Sequence, residues 1–304
     1  MTSRDIGASV RQRLLNQAHQ QDRPFQEVLQ FYAMERFLYR LSRSPFADQF
    51  VLKGALLLAA WKAPQARPTM DIDLAGRANN SLDHIAQLMA AICAELCEGD
   101  GIEFLADTIE TSRIKEDAEY EGARVRLEAV LSKARVRMQI DIGFGDLIVP
   151  APTKIEYPTL LELPAPIIRA YSKETVIAEK LQALTMLGML NSRLKDYYDM
   201  ALLARLYAFE GELLMESVAS TFRHRGTMFE LEPAGLTDAY AADPARRTQW
   251  RAFVRRNRFT GEPDDLAALV AEVRRFVAPL LDAAARDQSF VARWPAGGPW
   301  EAAR

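Results

Sequence analysis

The sequence predicts an α+β or α/β lobe followed by a helical lobe. Three observations carry this: short apolar strands alternate with helical periodicity up to about residue 150, five prolines interrupt all periodicity between Val149 and Pro166, and helical spacing dominates from Ser172 to Ala285. The expected organisation is therefore 1–150 for N-terminal helices and a strand-containing core, 151–171 for a Pro-rich connector, and 172–304 for the helical lobe. A cleft between the lobes is the natural place for a substrate.

From Ile6 to Leu41 two amphipathic helices are expected. Val10, Leu14 and Ala18 repeat at helical spacing before the break at Gln20-Gln21-Asp22-Arg23-Pro24, and Phe25, Val28, Leu29, Tyr32, Phe37 and Leu41 resume it. Phe50-Val51-Leu52-Lys53-Gly54 has the composition of a buried strand that turns at Gly54 into a helix from Ala55 to Trp61. After Pro64 and Pro68, Met70 to Leu74 is a second strand, and Leu82 to Leu96 is a helix. Ala123 to Val130 and Ala134 to Phe144 alternate with period two, as a hairpin turning near Ser132-Lys133 does.

Bulk properties narrow the class. The chain has 304 residues, 49% hydrophobic and 26% charged, the balance of an ordinary folded protein with its own core. The longest apolar run, Gly54 to Trp61, is closed by Lys53 and Lys62 and is far shorter than the ~20 residues of a membrane span, so no membrane partner is expected. Arg4, Asp5, Arg11 and Arg13 precede no apolar signal core, which points to the cytoplasm. Cys93 and Cys97 are the only cysteines, and with His19, His84 and His224 they form no zinc-ligand spacing. A net charge of −3 gives no global attraction to nucleic acid, so an RNA partner needs a local basic face.

The segment Arg67-Pro68-Thr69-Met70-Asp71-Ile72-Asp73-Leu74 is where chemistry is expected. In a strand alternate side chains share a face, so Thr69, Asp71 and Asp73 point one way and Met70, Ile72 and Leu74 the other. Two carboxylates held this close repel unless a cation neutralises them, and oxygen donors on a half-open strand suit Mg²⁺ (or Mn²⁺) with substrate phosphates. Two solvated aspartates at a strand end have the same sequence. Asp141 lies on the polar face of the strand Arg135 to Phe144, placed to be a third metal ligand or a base; pairing with Arg124 or Arg137 is its alternative.

In the helical lobe Ser172 is an N-cap candidate, and Lys173 and Lys180 follow it on nearly one flank, where a lysine reaches phosphate oxygens or snorkels at a core boundary. Asp196 and Asp199 share the packed side of the next helix with Leu203, so they either brace Lys180, Lys195 or Arg193 or sit at the reaction centre. Near the C-terminus Arg251, Arg255 and Arg258 lie on a flank beside Trp250, Phe253 and Val254, with Arg246, Arg247, Arg256 and Phe259 close by. That flank is a candidate RNA grip or a solvated face paired with Glu262, Asp264 and Asp265.

Taken in order, Phe50-Val51-Leu52-Lys53-Gly54-Ala55, Asp71-Ile72-Asp73-Leu74, Ile140-Asp141-Ile142, Ser172-Lys173-Glu174 with Ala178-Glu179-Lys180-Leu181, and Lys195-Asp196-Tyr197-Tyr198-Asp199-Met200 resemble the AbiEii/AbiGii family of nucleotidyltransferase toxins, including MenT-type enzymes. The resemblance spans most of residues 1 to about 260. It implies an α+β, polymerase-beta-like nucleotidyltransferase core with a C-terminal helical lobe, and Mg²⁺-assisted attack on the α-phosphate of an NTP with release of pyrophosphate. It also implies an RNA acceptor, often tRNA, whose modification blocks translation, and a cognate antitoxin.

By position, Asp71 and Asp73 would hold metal, Lys180 would contact phosphates, and Asp196 or Asp199 would complete the site. Lys53, Gly54, Ala55, Thr69 and Lys173 would join the nucleotide-binding set, and Asp141 would be the third acid and metal ligand. One departure stands out: Gly54-Ala55 occupies the place of the family's Gly-Gly or Gly-Ser, so only a backbone N–H remains there to meet phosphate. A nucleotidyltransferase acting on a small molecule or a protein hydroxyl, and a non-catalytic module of the same fold, are the competing expectations.

Overall fold

Helical periodicity in the first forty residues becomes α1 (Ser3–Gln20) and α2 (Phe25–Arg43), with Pro24 at the N-cap of α2, where its missing N–H costs nothing. The computed structural model describes residues 3–64, 67–77, 79–117, 120–259 and 265–303. It divides into two compact units, Met1–Asp146 with Pro152–Tyr171, and Leu147–Ala151 with Ser172–Arg304.

The first unit is built on one sheet. After α2 come β1 (Phe50–Lys53), the short α3 (Leu56–Ala60), β2 (Asp71–Gly76), α4 (Leu82–Cys93), β3 (Ile102–Asp117), β4 (Tyr120–Leu131), β5 (Ala134–Phe144), β6 (Thr153–Glu156) and β7 (Ile167–Ala170). They form a seven-stranded mixed sheet in the order β3-β4-β5-β2-β1-β7-β6. β2 lies in the middle, antiparallel to β1 and parallel to β5. The β4–β5 hairpin closes from Leu131 opposite Ala134, with Ser132 in the left-handed conformation (φ 57°) that a tight turn requires.

One face of this sheet is apolar and covered. Ile72 and Leu74 of β2, Val125, Leu127 and Ala129 of β4, and Val136, Met138, Ile140 and Ile142 of β5 are buried there, and α2 packs on β5 while α4 packs on β3. Full burial of such side chains contributes roughly 1.5–3 kcal/mol each, which fixes the register: a one-residue slip would turn the apolar set outward. The opposite face carries the intervening polar residues.

A Pro-rich connector over 151–171 was the sequence expectation, and the structure corrects it. Lys154↔Arg169 and Ile155↔Ile168 pair as β6 and β7, and β7 joins β1 through Leu52↔Ala170. The prolines lie outside these ladders, in the edge and loop positions where no N–H is needed. The segment that belongs to the second unit is Leu147–Ala151, whose Val149 carbonyl accepts from the hydroxyls of Thr175 (2.9 Å) and Ser217 (2.6 Å).

The second unit contains α5 (Lys173–Leu187), α6 (Leu194–Leu206), β8 (Phe209–Glu210), α7 (Gly211–His224), α8 (Asp238–Ala242), α9 (Pro244–Asn257), α10 (Leu266–Ala285), β9 (Ala292–Trp294) and β10 (Glu301–Ala302). Ser172 caps α5 as expected, its hydroxyl accepting from the Thr175 N–H at 3.1 Å. α6 is buried almost throughout, flanked by α5, α9 and α10. Tyr197 stacks on Tyr240 at 5.3 Å between ring centres. A small sheet, β10-β9-β8, adds a feature that helical spacing did not announce. No described helix is long and apolar enough to cross a membrane.

Candidate functional site

The sheet register brings the predicted acids together. Lys53 of β1 lies opposite Asp73 of β2, Asp73 opposite Asp141 of β5, and Asp141 opposite Arg124 of β4. One row across four strands thus reads cation, acid, acid, cation on the polar face, with about 4.8 Å between neighbouring strands. The next row is Asp71, Gln139, Arg126 and Glu110. Asp71 and Asp73 share their face as the alternation predicted.

Gly54 explains how Asp73 is held. It has φ 74°, and a Cβ built on it would lie 2.0 Å from the Asp73 Oδ2, so the carboxylate occupies the space a side chain would fill. The helix that follows is shorter than the sequence predicted, five residues from Leu56 to Ala60, with Ala55 as its N-cap and no side-chain cap. Its dipole is correspondingly small.

The flanking cations are both engaged. Lys53 Nζ, nearly buried, lies 2.8 Å from Asp146 Oδ2, which also accepts from the Tyr171 hydroxyl at 2.9 Å. Arg124 grips Asp141 with a fork: Nε to Oδ1 at 2.8 Å and Nη2 to Oδ2 at 2.7 Å. Its guanidinium is held more firmly protonated than usual, chiefly by that hydrogen-bonded pair, with the charges of Asp141, Asp71 and Asp73 adding to it against partial burial.

The three-acid metal set is not assembled in this arrangement. Among the described residues no three His, Cys, Asp or Glu side chains are gathered for a metal ion, and the Arg124 fork engages both Asp141 oxygens. Thr69 also departs from expectation. It precedes β2, its hydroxyl lies 3.4 Å from the Asp71 N–H, and it lines a separate cavity of about 170 Å³ with Ala55, Glu35 and Tyr157.

An open groove of about 780 Å³ starts at Asp71 and crosses β5, β4 and β3, with Gln139, Arg126, Glu110 and Arg137 along it. The sequence reading passed over Arg126 and Glu110. Their signal was the same period-two alternation, legible only once β3 is recognised as the partner of β4.

In the second unit Lys180 of α5 sits between two acids of α6, with Nζ 2.5 Å from Asp196 Oδ1 and 3.0 Å from Asp199 Oδ2. Asp199 is 2% and Asp196 7% exposed, so the acids that the sequence placed on a packed face do brace Lys180. Lys173 Nζ lies over the Tyr207 ring, 5.0 Å from its centre. Arg251, Arg255 and Arg258 are exposed on and just after α9. The aromatics beside them are packed inward: Phe253 stacks on Trp250 at 5.5 Å and Phe259 on Tyr198 at 4.4 Å. Glu262 and Asp264, the suggested acidic partners, lie outside the described residues, and Asp265 caps α10 through the Ala267 N–H.

Comparison with known proteins adds a family. The model of the nucleotidyl transferase AbiEii toxin family, type IV toxin-antitoxin system, matches residues 36–277. No curated protein matches the chain. Among solved structures, one described as a candidate nucleotidyltransferase from H. pylori is 16% identical, with a TM-score of 0.43, over 83% of this chain and 92% of that one. JHP933 from Helicobacter pylori is likewise 16% identical, with a TM-score of 0.41, over 83% of this chain and 89% of the other.

Proposed function

We propose, from the premise that this chain belongs to the AbiEii nucleotidyl transferase toxin family, that it transfers a nucleoside monophosphate from an NTP to an RNA acceptor, in the first instance tRNA. Membership makes it a nucleotidyltransferase toxin, with an NTP as substrate and an antitoxin as its counterpart. The observation that carries the finer reading is the pair Asp71 and Asp73 on the polar sheet face, with Gly54 leaving room for the Asp73 carboxylate.

That pair fits a magnesium ion. Its donors are hard oxygens, two side chains suffice for an ion that keeps several waters, and the remaining positions suit phosphate oxygens. When bound, the ion neutralises charge on the transferring phosphate and favours attack at the α-phosphorus. The chain's own residues do the rest under this reading. Asp71 and Asp73 position the ion. The Gly54–Ala55 turn presents N–H groups to the triphosphate, with Lys53 beside it as a candidate phosphate contact; the family resemblance adds a phosphate role for Lys180, which Asp196 and Asp199 hold.

Asp141, both of its oxygens held by the Arg124 fork, adds a third acid to the row beside the pair. The acceptor oxygen forms its bond to the α-phosphorus while the bond from that phosphorus to the bridging oxygen breaks. Pyrophosphate leaves, and the hydroxyl proton passes to a carboxylate or to water.

The test incubates the protein with total RNA, Mg²⁺ and each labelled NTP in turn. Label should become acid-insoluble and RNase-sensitive with the native protein and be lost in Asp71→Asn and Asp73→Asn, whose folds should survive because an amide removes charge without changing shape. Label appearing in protein or in a small-molecule fraction, or surviving in both variants, would overturn the reading.

A further inference from the structure

We infer that the groove leading from Asp71 across β5, β4 and β3 holds the terminal nucleobase of the acceptor, with Arg126, Gln139 and Glu110 as the groups that read it. The inference rests on the proposed nucleotidyl transfer and adds to it where the second substrate lies and which residues choose it.

Topology supplies the first step. In-line displacement at phosphorus requires the attacking oxygen and the leaving pyrophosphate on opposite sides of the reacting atom. β2, which carries Asp71 and Asp73, lies between β1 and β5. With the triphosphate assigned to the Gly54–Ala55 turn at the end of β1, the opposite side is that of β5, β4 and β3, and there the groove begins.

Charge decides which part of the acceptor enters. Apart from Asp71, which the proposed ion neutralises, Glu110 and Glu128 bring two negative charges to the lining and Arg126 and Arg137 two positive ones. A groove of balanced charge does not grip a phosphate backbone as clustered cations do. A neutral heterocycle with donors and acceptors on one edge suits it, because Arg, Gln and Glu offer complementary partners to base edges.

Neighbouring contacts narrow the readers. Thr108 is committed within the sheet, its hydroxyl donating to the Leu105 carbonyl at 2.6 Å and accepting from the Glu128 N–H at 2.9 Å. Glu128 is occupied by Arg135 at 2.6 Å and Arg137 at 3.6 Å. Glu110, Arg126 and Gln139 remain in one cross-strand row with Asp71, and the Gln139 amide also donates to Asp141 Oδ2 at 3.3 Å. A base seated on this row would place its sugar hydroxyl toward the acids.

The experiment uses the full chain and four short single-stranded RNA oligonucleotides that differ only in the base at the 3′ end. Binding is measured without NTP by fluorescence anisotropy, and transfer kinetics are measured with Mg²⁺ and the preferred NTP. The native protein should prefer one terminal base by about tenfold or more, as one good bidentate contact predicts. Arg126→Ala and Gln139→Ala should lower that preference to about twofold or less, with KM for the NTP unchanged. Both positions are at least partly exposed, and the melting temperature of each variant should stay near that of the native protein.

Preference retained in both variants would overturn the inference while leaving nucleotidyl transfer standing. A change of NTP choice with unchanged acceptor preference would also overturn it, since the groove would then hold the incoming base. Absence of transfer to any RNA by the native protein, with transfer to another acceptor, would instead overturn the proposed function on which it rests.

Discussion

At Gly54 a single hydrogen atom separates the backbone from the Asp73 carboxylate, so both the turn and the acid depend on glycine there. Gly54→Ala adds a Cβ where Asp73 Oδ2 already lies and forces a non-glycine residue into φ 74°, a conformation costing about 1–2 kcal/mol for an L-residue. The expected result is a lower melting temperature and a larger loss of transfer, because Asp73 must rotate away from Asp71. Wild-type activity in Gly54→Ala would show that the placement of Asp73 does not matter to the reaction.

Glu35 makes a second prediction at this scale. It is 1% exposed and lies 2.9 Å from Arg36, yet burial outweighs that cation and pushes its pKa from 4.5 up to about 7. Folded Glu35 therefore holds a proton that the unfolded chain has released between those values. Its contribution to stability is fully present below pH 4.5 and is lost as pH rises through about 7. Thermal midpoints measured from acid to mildly alkaline pH should decline across that window in the native protein and decline less in Glu35→Gln. Identical slopes would mean that Glu35 titrates normally.

Between α5 and α6 the Lys180 ammonium ties two helices by two nearly buried acids. Lys180→Met leaves Asp196 and Asp199 facing each other without a counter-charge, a change that typically costs about 3–5 kcal/mol. Asp196→Asn with Asp199→Asn in the same chain should restore most of the melting temperature, whereas KM for NTP should stay raised under the proposed phosphate role. Recovery of both would make Lys180 a brace alone.

Elements of this kind were legible where period and partner coincide. Asp71 with Asp73, the Ser172 cap and the packed side of α6 could each be seen in a window of a few residues. β3 and the β6–β7 pair could not: β3 carries a register shift between Leu105 and Glu110 that breaks its alternation, and β6 is an edge strand with largely exposed side chains. The Arg124 fork on Asp141 was foreseen only as an alternative, since partner choice depends on a cross-strand register that spacing along the chain does not contain.

Across the whole molecule the net charge of −3 gives a polyanion no general welcome, so an RNA acceptor needs a local cationic surface. The N-terminal helices offer less than their sequence suggests, because Arg36 is fully buried, bonded to the Pro164 carbonyl at 2.8 Å and paired with Glu35. α9 offers more: Arg251 and Arg255 are exposed on it, and Arg258 follows at its C-cap in the left-handed conformation. The interleaved aromatics contribute packing rather than base stacking, since Trp250, Phe253 and Phe259 are engaged with one another and with Tyr198. Any grip there is therefore electrostatic.

Electrostatic binding has a distinct signature. Each phosphate contact releases condensed counterions, so the logarithm of affinity falls linearly with the logarithm of salt, by about 0.7 per contact on a single strand and about 0.9 on a duplex. Arg251→Ala with Arg255→Ala should weaken tRNA binding at low salt and flatten the slope by about the value of two contacts. The melting temperature should hardly move, because neither side chain is buried. Should affinity and slope both match the native protein, α9 is a solvated face and the acceptor is held by other cations, Arg11 and Arg13 being the next to substitute.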